Sequence, residues 1–133
     1  MTLRANPSPF VPAAAAVLFA LAAGFAPGKA AAHTISFKED ILPILQVRCV
    51  ACHQPGGEGY EKSGLDLRSY EGLMKGTKFG PIVVPGNALI SNLNVLVEGR
   101  ADPALRMPHG KRKLSSCDRI NLRRWVNQGA KNN

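Results

Sequence analysis

Two cysteines and a histidine lie within one short stretch, Cys49-Val50-Ala51-Cys52-His53. Three kinds of site use such a group: a covalently attached haem, a structural zinc ion, and a thiol–disulfide redox pair. A small chain that holds any of these must arrange its core and loops around the site. The choice among the three chemistries therefore decides most of what this sequence can fold into.

The zinc and thiol interpretations lack supporting residues elsewhere. A structural zinc ion normally needs four ligands, often from two paired motifs, and no second pair is present. The remaining candidate ligands are scattered along the chain: His33, His109 and Cys117. A thioredoxin-like motif would follow a strand, whereas a helical pattern precedes Cys49. A Cys49–Cys52 disulfide would leave the adjacent His53 unexplained.

The Cys-x-x-Cys-His spacing is the attachment signature of c-type haem. Two thiols separated by two residues can add to the two haem vinyl groups. The histidine that follows can then bring its imidazole to the iron as the proximal ligand. We therefore predict one haem c, attached through thioethers to Cys49 and Cys52, with His53 as an iron ligand.

A second iron ligand is expected further along the chain. The candidates are Met74, Met107, His33 and His109. Met107 lies in the loop "ADPALRMPHGKRKLSS", directly before the last helical pattern, and its soft thioether suits low-spin iron. His109 is the rival, although the polar "GKRK" that follows favours a solvent-exposed position. Met74 fits core packing better, and His33 lies at a mobile chain end. The predicted iron ligands are His53 and Met107, with His109 left open.

The N-terminal segment has the pattern of a secretory signal. Residues 13–26, "AAAAVLFALAAGFA", form an apolar run that is too short for a comfortable membrane span. Ala30 and Ala32 occupy the small-residue positions of an Ala-x-Ala cleavage site. We predict that residues 1–32 are a cleaved signal peptide, that the protein is exported to the periplasm, and that residues 33–133 form one domain. An uncleaved N-terminal anchor is the alternative.

The charge of the chain is basic but modest. Residues 1–32 contain Arg4 and Lys29 and no acidic residue, so their removal lowers the net charge from +8 to +6. No dense basic run with interleaved aromatics is present, which argues against nucleic-acid binding. The charge instead suits docking onto an acidic partner or membrane surface. Candidate docking residues are Lys75, Lys78, Lys111, Arg112, Lys113, Arg123 and Arg124.

Helical patterns occupy both ends of the domain. Ser36 and Glu39 form a Ser-x-x-Glu capping box, and Pro43 should kink or restart the helix that follows. Ser115 and Asp118 form a second box before the last helix. That helix carries one apolar stripe, made by Leu122, Trp125, Val126 and Gly129.

The middle of the chain predicts short helices and long loops. Residues 54–64 are glycine-rich and predict a loop. Ser69 should cap a short helix that ends at Gly76. Ser91 should cap another, over residues 92–98. The segment 82–84 and the pair Leu65 and Leu67 are expected at the haem edge. These patterns together predict an all-α domain.

At this point the sequence resembles a class I c-type cytochrome domain, and most closely the planctomycete-type cytochrome c family. The matching segments are "DILPIL", "CVACH", "GLDLRSYEGLMKG", "IVVPGNALISNL", "RMPHGKRKLSS" and "INLRRWVNQGA". The resemblance implies crossed N- and C-terminal helices, with short helices and long loops around one haem. It also implies that His53 is the proximal ligand and Met107 the distal one. His109 departs from the family, which often has a second proline there.

The resemblance implies an electron carrier rather than an independent enzyme. No Ser-His-Asp set, paired catalytic carboxylates or phosphate-binding loop is apparent in the sequence. The family domain is often fused to larger proteins, so a chain of this length favours a diffusible carrier. The alternatives are a haem subunit of a periplasmic dehydrogenase or oxidase, and a haem-based sensor with a labile sixth ligand.

Cys117 is left over once the haem motif uses the other two cysteines. In an exported protein an odd cysteine indicates an intermolecular disulfide or a free thiol. The alternative is a small buried side chain. We therefore expect either a disulfide-linked dimer or a minor packing role at this position.

Overall fold

The computed structural model describes residues 33–133, and every element in that part of the chain is helical. The predicted signal peptide at residues 1–32 lies outside it. Five α-helices are present: α1 (Leu42–Arg48), α2 (Glu58–Ser63), α3 (Tyr70–Lys75), α4 (Asn92–Glu98) and α5 (Ser116–Asn127). A π-helical turn, Phe37–Ile41, precedes α1, and a 3₁₀ turn, Pro103–Leu105, follows α4. The all-α prediction is confirmed. None of the described helices is long and apolar enough to span a membrane.

The first helical turn is capped differently from the prediction. The Ser36 hydroxyl accepts a hydrogen bond from the Glu39 amide at 3.2 Å, as expected. However, the Ser36 amide donates to the carboxylate of Asp40 rather than to that of Glu39. The turn is π-helical, with the Ile41 amide donating to the Ser36 carbonyl, so it is one residue wider than an α-turn. The wider turn brings Asp40 back to the cap. The predicted restart at Pro43 is confirmed, since this residue lies in the first turn of α1.

Three aromatic rings join the two ends of the domain. Phe37 packs edge-on against Tyr70 at 5.2 Å between ring centroids, and against Trp125 at 5.6 Å. The polar atoms of the cluster are paired, because the Tyr70 hydroxyl donates to the Ala130 carbonyl and the Trp125 indole donates to the Lys131 carbonyl. The cluster holds the first helical turn against α5.

Helix α5 follows the sequence prediction closely. Both hydrogen bonds of the Ser115–Asp118 capping box are present. Leu122, Trp125 and Val126 of the predicted stripe are buried, whereas Gly129 is half-buried and lies beyond the end of the helix. Beyond the helix, the Asn133 carbonyl accepts hydrogen bonds from the Ser36 hydroxyl and the Lys38 amide. The final residue thus reinforces the contact between the two ends.

The prediction of a loop over residues 54–64 is wrong, because this segment contains α2. None of the α2 residues is buried, so the helix leaves no apolar period in the sequence. Its limits are set by Gly57 at the N-cap and by Gly64, which has φ +73° at the C-cap. Glu58 and Lys62 form an ion pair one turn apart, at 2.6 Å.

The two short helices in the middle have the predicted bounds. Ser69 caps α3 by accepting a hydrogen bond from the Gly72 amide. Ser91 precedes α4, but its side chain does not cap that helix. Its fully buried hydroxyl instead accepts from the Val84 amide and donates to the Asn87 carbonyl, each at 2.8 Å. Ser91 therefore holds the preceding loop rather than the helix end.

Removal of the Phe37 ring should test the contact between the two ends. Phe37 is 2% exposed, so Phe37→Ala should lower the free energy of unfolding by about 3–5 kcal/mol through lost burial and a residual cavity. Phe79 provides the matched control, since its ring is 81% exposed and Phe79→Ala should have little effect. Urea unfolding followed by helical circular dichroism gives both values. Equal effects of the two substitutions would contradict this account of the core.

An ion pair at the end of α4 should make stability depend on acid pH. Burial alone would raise the pKa of Glu98, but hydrogen bonds from Arg123 and Arg100 outweigh it and hold the pKa below its ordinary value of 4.5. A carboxyl with a lowered folded-state pKa stabilises the protein above its unfolded-state value and loses that effect as pH falls. Glu98→Gln should therefore cost about 1–2 kcal/mol near neutral pH.

The difference between wild type and Glu98→Gln should shrink as the pH is lowered through and below 4.5, where the wild-type carboxyl becomes protonated. Thermal unfolding at several pH values measures this. The exposed pair of Glu58 and Lys62 is the control, and Glu58→Gln should leave stability unchanged. A constant difference across the pH range would show that the Glu98 charge has no such role.

Candidate haem site

One apolar cavity of about 390 Å³ brings the predicted site residues together. This volume falls within the roughly 300–1,000 Å³ of typical cofactor sites. Cys49, Cys52, His53 and Met107 all line it. Much of the remaining wall consists of aliphatic side chains: Leu65, Leu67, Ile82, Leu93, Leu96 and Val97. Leu65, Leu67 and Ile82, which were expected beside the haem, line this cavity, whereas Val83 is buried in the core and Val84 is exposed.

The Cys-x-x-Cys-His motif continues directly from α1. The Cys49 amide donates to the Leu45 carbonyl, which extends the helical path into the motif. The amides of Cys52 and His53 both donate to the Cys49 carbonyl, at 3.1 and 3.0 Å. The His53 carbonyl in turn accepts from the Leu67 amide at 2.9 Å. The motif therefore forms a compact turn that is fastened to the cavity wall at both ends.

The His53 imidazole is positioned by close packing. Its Nδ1 atom is buried without a hydrogen-bond partner in the described structure. Gly59 of α2 lies against the same edge of the ring, since a Cβ at that position would be 2.8 Å from Cε1 and 3.0 Å from Nδ1. With Nδ1 enclosed, Nε2 is the nitrogen able to coordinate a metal ion. Burial lowers the pKa of His53, which favours the neutral, ligating form of the ring.

The environment of Cys49 differs from that of a redox-active thiol. Burial raises the pKa of Cys49 to about 11, although the positive charges of Arg48 and Lys111 partly oppose the effect. A thiol with this pKa is protonated at neutral pH, whereas thiol–disulfide enzymes use a cysteine with a lowered pKa. Cys49 and Cys52 are both free and half-buried. The environment therefore argues against a redox-active disulfide motif.

The structure places two of the four candidates for the second iron ligand, Met107 and His109, at the cavity. Met107 is half-buried, and its amide donates to the Leu96 carbonyl of α4 at 3.1 Å. The next residue, Pro108, is buried, whereas His109 is exposed. Met107 is therefore held against the wall of the cavity, and His109 lies at its mouth.

The other candidate residues lie away from the cavity wall. Met74 is half-buried against the hydrophobic core, as expected for a packing residue. His33 is exposed, and its carbonyl accepts a hydrogen bond from the Gln128 side chain. Cys117 is exposed in the first turn of α5, so the buried alternative for this cysteine is wrong.

The predicted docking charges do not form a single group. Lys111 lines the cavity, and the carbonyls of Arg112 and Lys113 accept hydrogen bonds from Arg48, which also lines it. Arg123 instead pairs with Glu98, which borders a separate cleft. Lys111 and Arg123 thus belong to two different surfaces, the first at the haem cavity and the second at the α4–α5 cleft.

Sequence reasoning missed the contribution of α2 to the site. Gly59 and Lys62 from this helix line the cavity, although the segment was predicted to be a loop. The sequence did contain a usable signal. Glu58 and Lys62 have the spacing of a helical ion pair, and Gly57 and Gly64 mark the two ends.

The donor set fits a covalently attached haem. Two thiols, a neutral imidazole and a thioether border one apolar cavity. The imidazole packs so closely against α2 that position 59 has no room for a residue larger than glycine. Zinc is a poor fit, because no group of three or more His, Cys, Asp or Glu side chains suited to a metal ion occurs within residues 33–133.

Comparison with known protein families supports the haem interpretation over the zinc one. Residues 49–109 match the planctomycete cytochrome C family. The resemblance noted from the sequence is therefore confirmed over this segment, which begins at the first cysteine of the motif and includes both Met107 and His109. No curated protein and no solved structure gives a significant match to the chain. A cytochrome c family implies covalently bound haem c, and Cys49 and Cys52 have the required spacing.

The close approach of α2 to the motif histidine, His53, yields a prediction. A methyl group at Gly59 would meet both the His53 ring and the Cys52 carbonyl, so Gly59→Ala should displace the imidazole and change the visible spectrum of the holoprotein. Gly72 is a matched control, since a Cβ there would meet only Asp66. Gly72→Ala should lower thermal stability but leave the spectrum unchanged. An unaltered spectrum in Gly59→Ala would contradict the proposed packing of His53.

Proposed function

We propose that this chain is a periplasmic electron-transfer protein that carries one haem c. The haem would be bonded through Cys49 and Cys52, with His53 as proximal and Met107 as distal iron ligand. The observation that carries the proposal is that all four side chains line one apolar cavity. The family match supports the coarser conclusion of a haem-binding electron carrier.

The motif residues have separable tasks. Cys49 and Cys52 would anchor the cofactor covalently at the end of α1, which prevents its loss outside the cytoplasm. His53 offers a neutral imidazole whose orientation is set by Gly59 and by the hydrogen bond of its own carbonyl to Leu67. A bound haem c supplies the one-electron Fe(III)/Fe(II) couple.

Met107 is favoured over His109 as the distal ligand because of how each is held. The amide of Met107 is tied to Leu96 in α4, and its side chain packs against the core. His109 is exposed, so its imidazole would lose solvation and conformational freedom on binding iron. A thioether ligand raises the reduction potential relative to a second histidine.

The described contacts also support a class I cytochrome arrangement. The Phe37–Ile41 turn packs against α5, as expected if the N- and C-terminal helices cross. The segments between them supply the cavity wall. The aliphatic wall would exclude water from the iron and leave the mouth, lined by His109 and Lys111, as the more polar side.

The family match favours an electron carrier over an enzyme. We propose that the partner is a redox protein with an acidic docking surface, because the chain is basic and charge complementarity speeds association. Export to the periplasm rests on the signal-like segment at residues 1–32. A permanent place in a dehydrogenase or oxidase complex would use the same site, and a disulfide-linked dimer through the exposed Cys117 stays part of the proposal.

Optical spectra of the purified holoprotein test this function. A pyridine haemochrome typical of two thioether bonds is expected for the wild type. Met107→Ala should abolish the weak long-wavelength sulfur-to-iron charge-transfer band and lower the reduction potential, because it removes the thioether ligand. Met74→Ala is the matched control and should keep the band, since Met74 packs against the core away from the cavity.

Two results would contradict the assignment. Absence of a haemochrome would reject the haem proposal altogether. Retention of the charge-transfer band in Met107→Ala would reject Met107 as the distal ligand, and a change of axial ligation on His109→Ala would assign that role to the histidine.

A further inference from the structure

A second cleft, of about 320 Å³, lies between the end of α4 and the exposed side of α5. It shares no lining residue with the haem cavity. Its lining residues are Glu98, Arg100, Ser116, Arg119, Ile120 and Arg123. We refer to these six residues as the arginine cleft.

The arginine cleft carries an excess of positive charge. Its only acidic lining residue is Glu98, whose side chain is 6% exposed. One carboxylate oxygen of Glu98 accepts from Arg100 at 2.7 Å, and the other accepts from Arg123 at 2.9 Å. Three arginines and one carboxylate therefore line the cleft, and the carboxylate is already shared between two of the arginines. The cleft retains a local surplus of two positive charges.

The arginines differ in how many donors remain for a ligand. Arg100 also donates to the carbonyls of Leu89 and Ala88, so its guanidinium is committed to the fold. Arg123 pairs with Glu98 through Nε, and its side chain is 56% exposed. Arg119 makes a single long contact, 3.4 Å, to the Ser115 carbonyl of its own helix. Arg119 and Arg123, one turn apart on α5, can thus present guanidinium donors to carboxylates.

Exposed apolar side chains border these charges. Ile120 lies within the arginine cleft and is 45% exposed. Leu89 and Ile90 are 72% and 58% exposed and adjoin Arg100, which donates to the Leu89 carbonyl. Surface arginines next to exposed apolar groups are typical of protein interfaces. A small free anion would make no favourable contact with these apolar side chains.

The position of the arginine cleft links it to the haem cavity. Leu93, Leu96 and Val97 of α4 line the cavity, and Glu98 at the end of the same helix lines the cleft. A protein seated in the cleft would be separated from the cavity by this one helix. The surface is also distinct from the cavity mouth, where Lys111 lies.

We propose that the arginine cleft docks an acidic segment of a protein partner. Carboxylates of that segment pair with Arg119 and Arg123, and an apolar side chain beside them packs against Ile120. The proposal deepens the proposed function and rests on it for the redox role of the partner. The binding itself depends only on the α4–α5 surface.

A peptide titration of the purified holoprotein tests the docking site. The probe is a twelve-residue peptide that combines glutamates with two leucines, and its partner probe has glutamine in place of every glutamate. Isothermal calorimetry at low ionic strength measures both. Arg119→Glu should weaken binding of the glutamate peptide about 5- to 10-fold, because one attractive contact becomes repulsive.

Arg124→Glu is the matched control. Arg124 is an exposed arginine of the same helix, it does not line the cleft, and its reversal changes the net charge equally. This variant should change the affinity less than about twofold if binding is local to the cleft. Ile120→Ala should weaken binding of the glutamate peptide about threefold, because an apolar contact is lost. Val47→Ala, at an 80% exposed position on α1, should have no effect.

Three further outcomes would overturn the docking proposal, and a fourth would separate it from the proposed function. Equal losses in Arg119→Glu and Arg124→Glu would show that attraction is only a property of the net charge. Equal affinity for the two peptides would remove the role of carboxylates. If inorganic phosphate bound as tightly as the peptide, and if Arg119→Glu abolished that phosphate binding, the cleft would be a small-anion site instead. A haem-free spectrum with intact peptide discrimination would reject the proposed function but not the docking site.

Discussion

The packing of Phe37 against Trp125 is the contact on which the rest of the domain depends. It joins the first helical turn to the last helix, and Asn133 reinforces the junction through the Ser36 hydroxyl and the Lys38 amide. With its start held in this way, the N-terminal helical path can deliver Cys49 to the wall of a cavity rather than to solvent. The rest of the core is almost entirely aliphatic, so these aromatic rings supply its largest side chains.

Helix α4 gives the domain two working surfaces. Leu93, Leu96 and Val97 face the haem cavity, and the Leu96 carbonyl also accepts the amide of Met107. Glu98, the next residue after Val97, pairs with two arginines and lines the arginine cleft rather than the cavity. A single short helix thus separates the proposed iron site from the proposed partner surface. The arrangement follows from helix geometry, since adjacent residues point in directions about 100° apart.

Much of the fold was predictable where a local interaction determines it. The Ser115–Asp118 box, the bounds of α3 and α4, and the buried stripe of α5 all follow from nearest-neighbour chemistry along the chain. Helix α2 was missed because it buries no residue and so leaves no periodic signal. The cap by Asp40 and the loop-holding role of Ser91 were missed for a related reason. When a polar side chain has several possible hydrogen-bond partners, the tertiary structure determines which one it binds. Local sequence patterns carry no information about that selection.

The sequence by itself determined which chemistry we propose for the site, because the Cys-x-x-Cys-His spacing and the family match depend only on residue order. It also supplied the short set of candidates for the second ligand. Only the tertiary structure decided that Met107 is tied to α4 while His109 is exposed, and that Gly59 lies against the His53 ring. It alone separated the arginine cleft from the cavity mouth. Such groupings depend on how helices and loops pack against one another, which local sequence patterns do not specify.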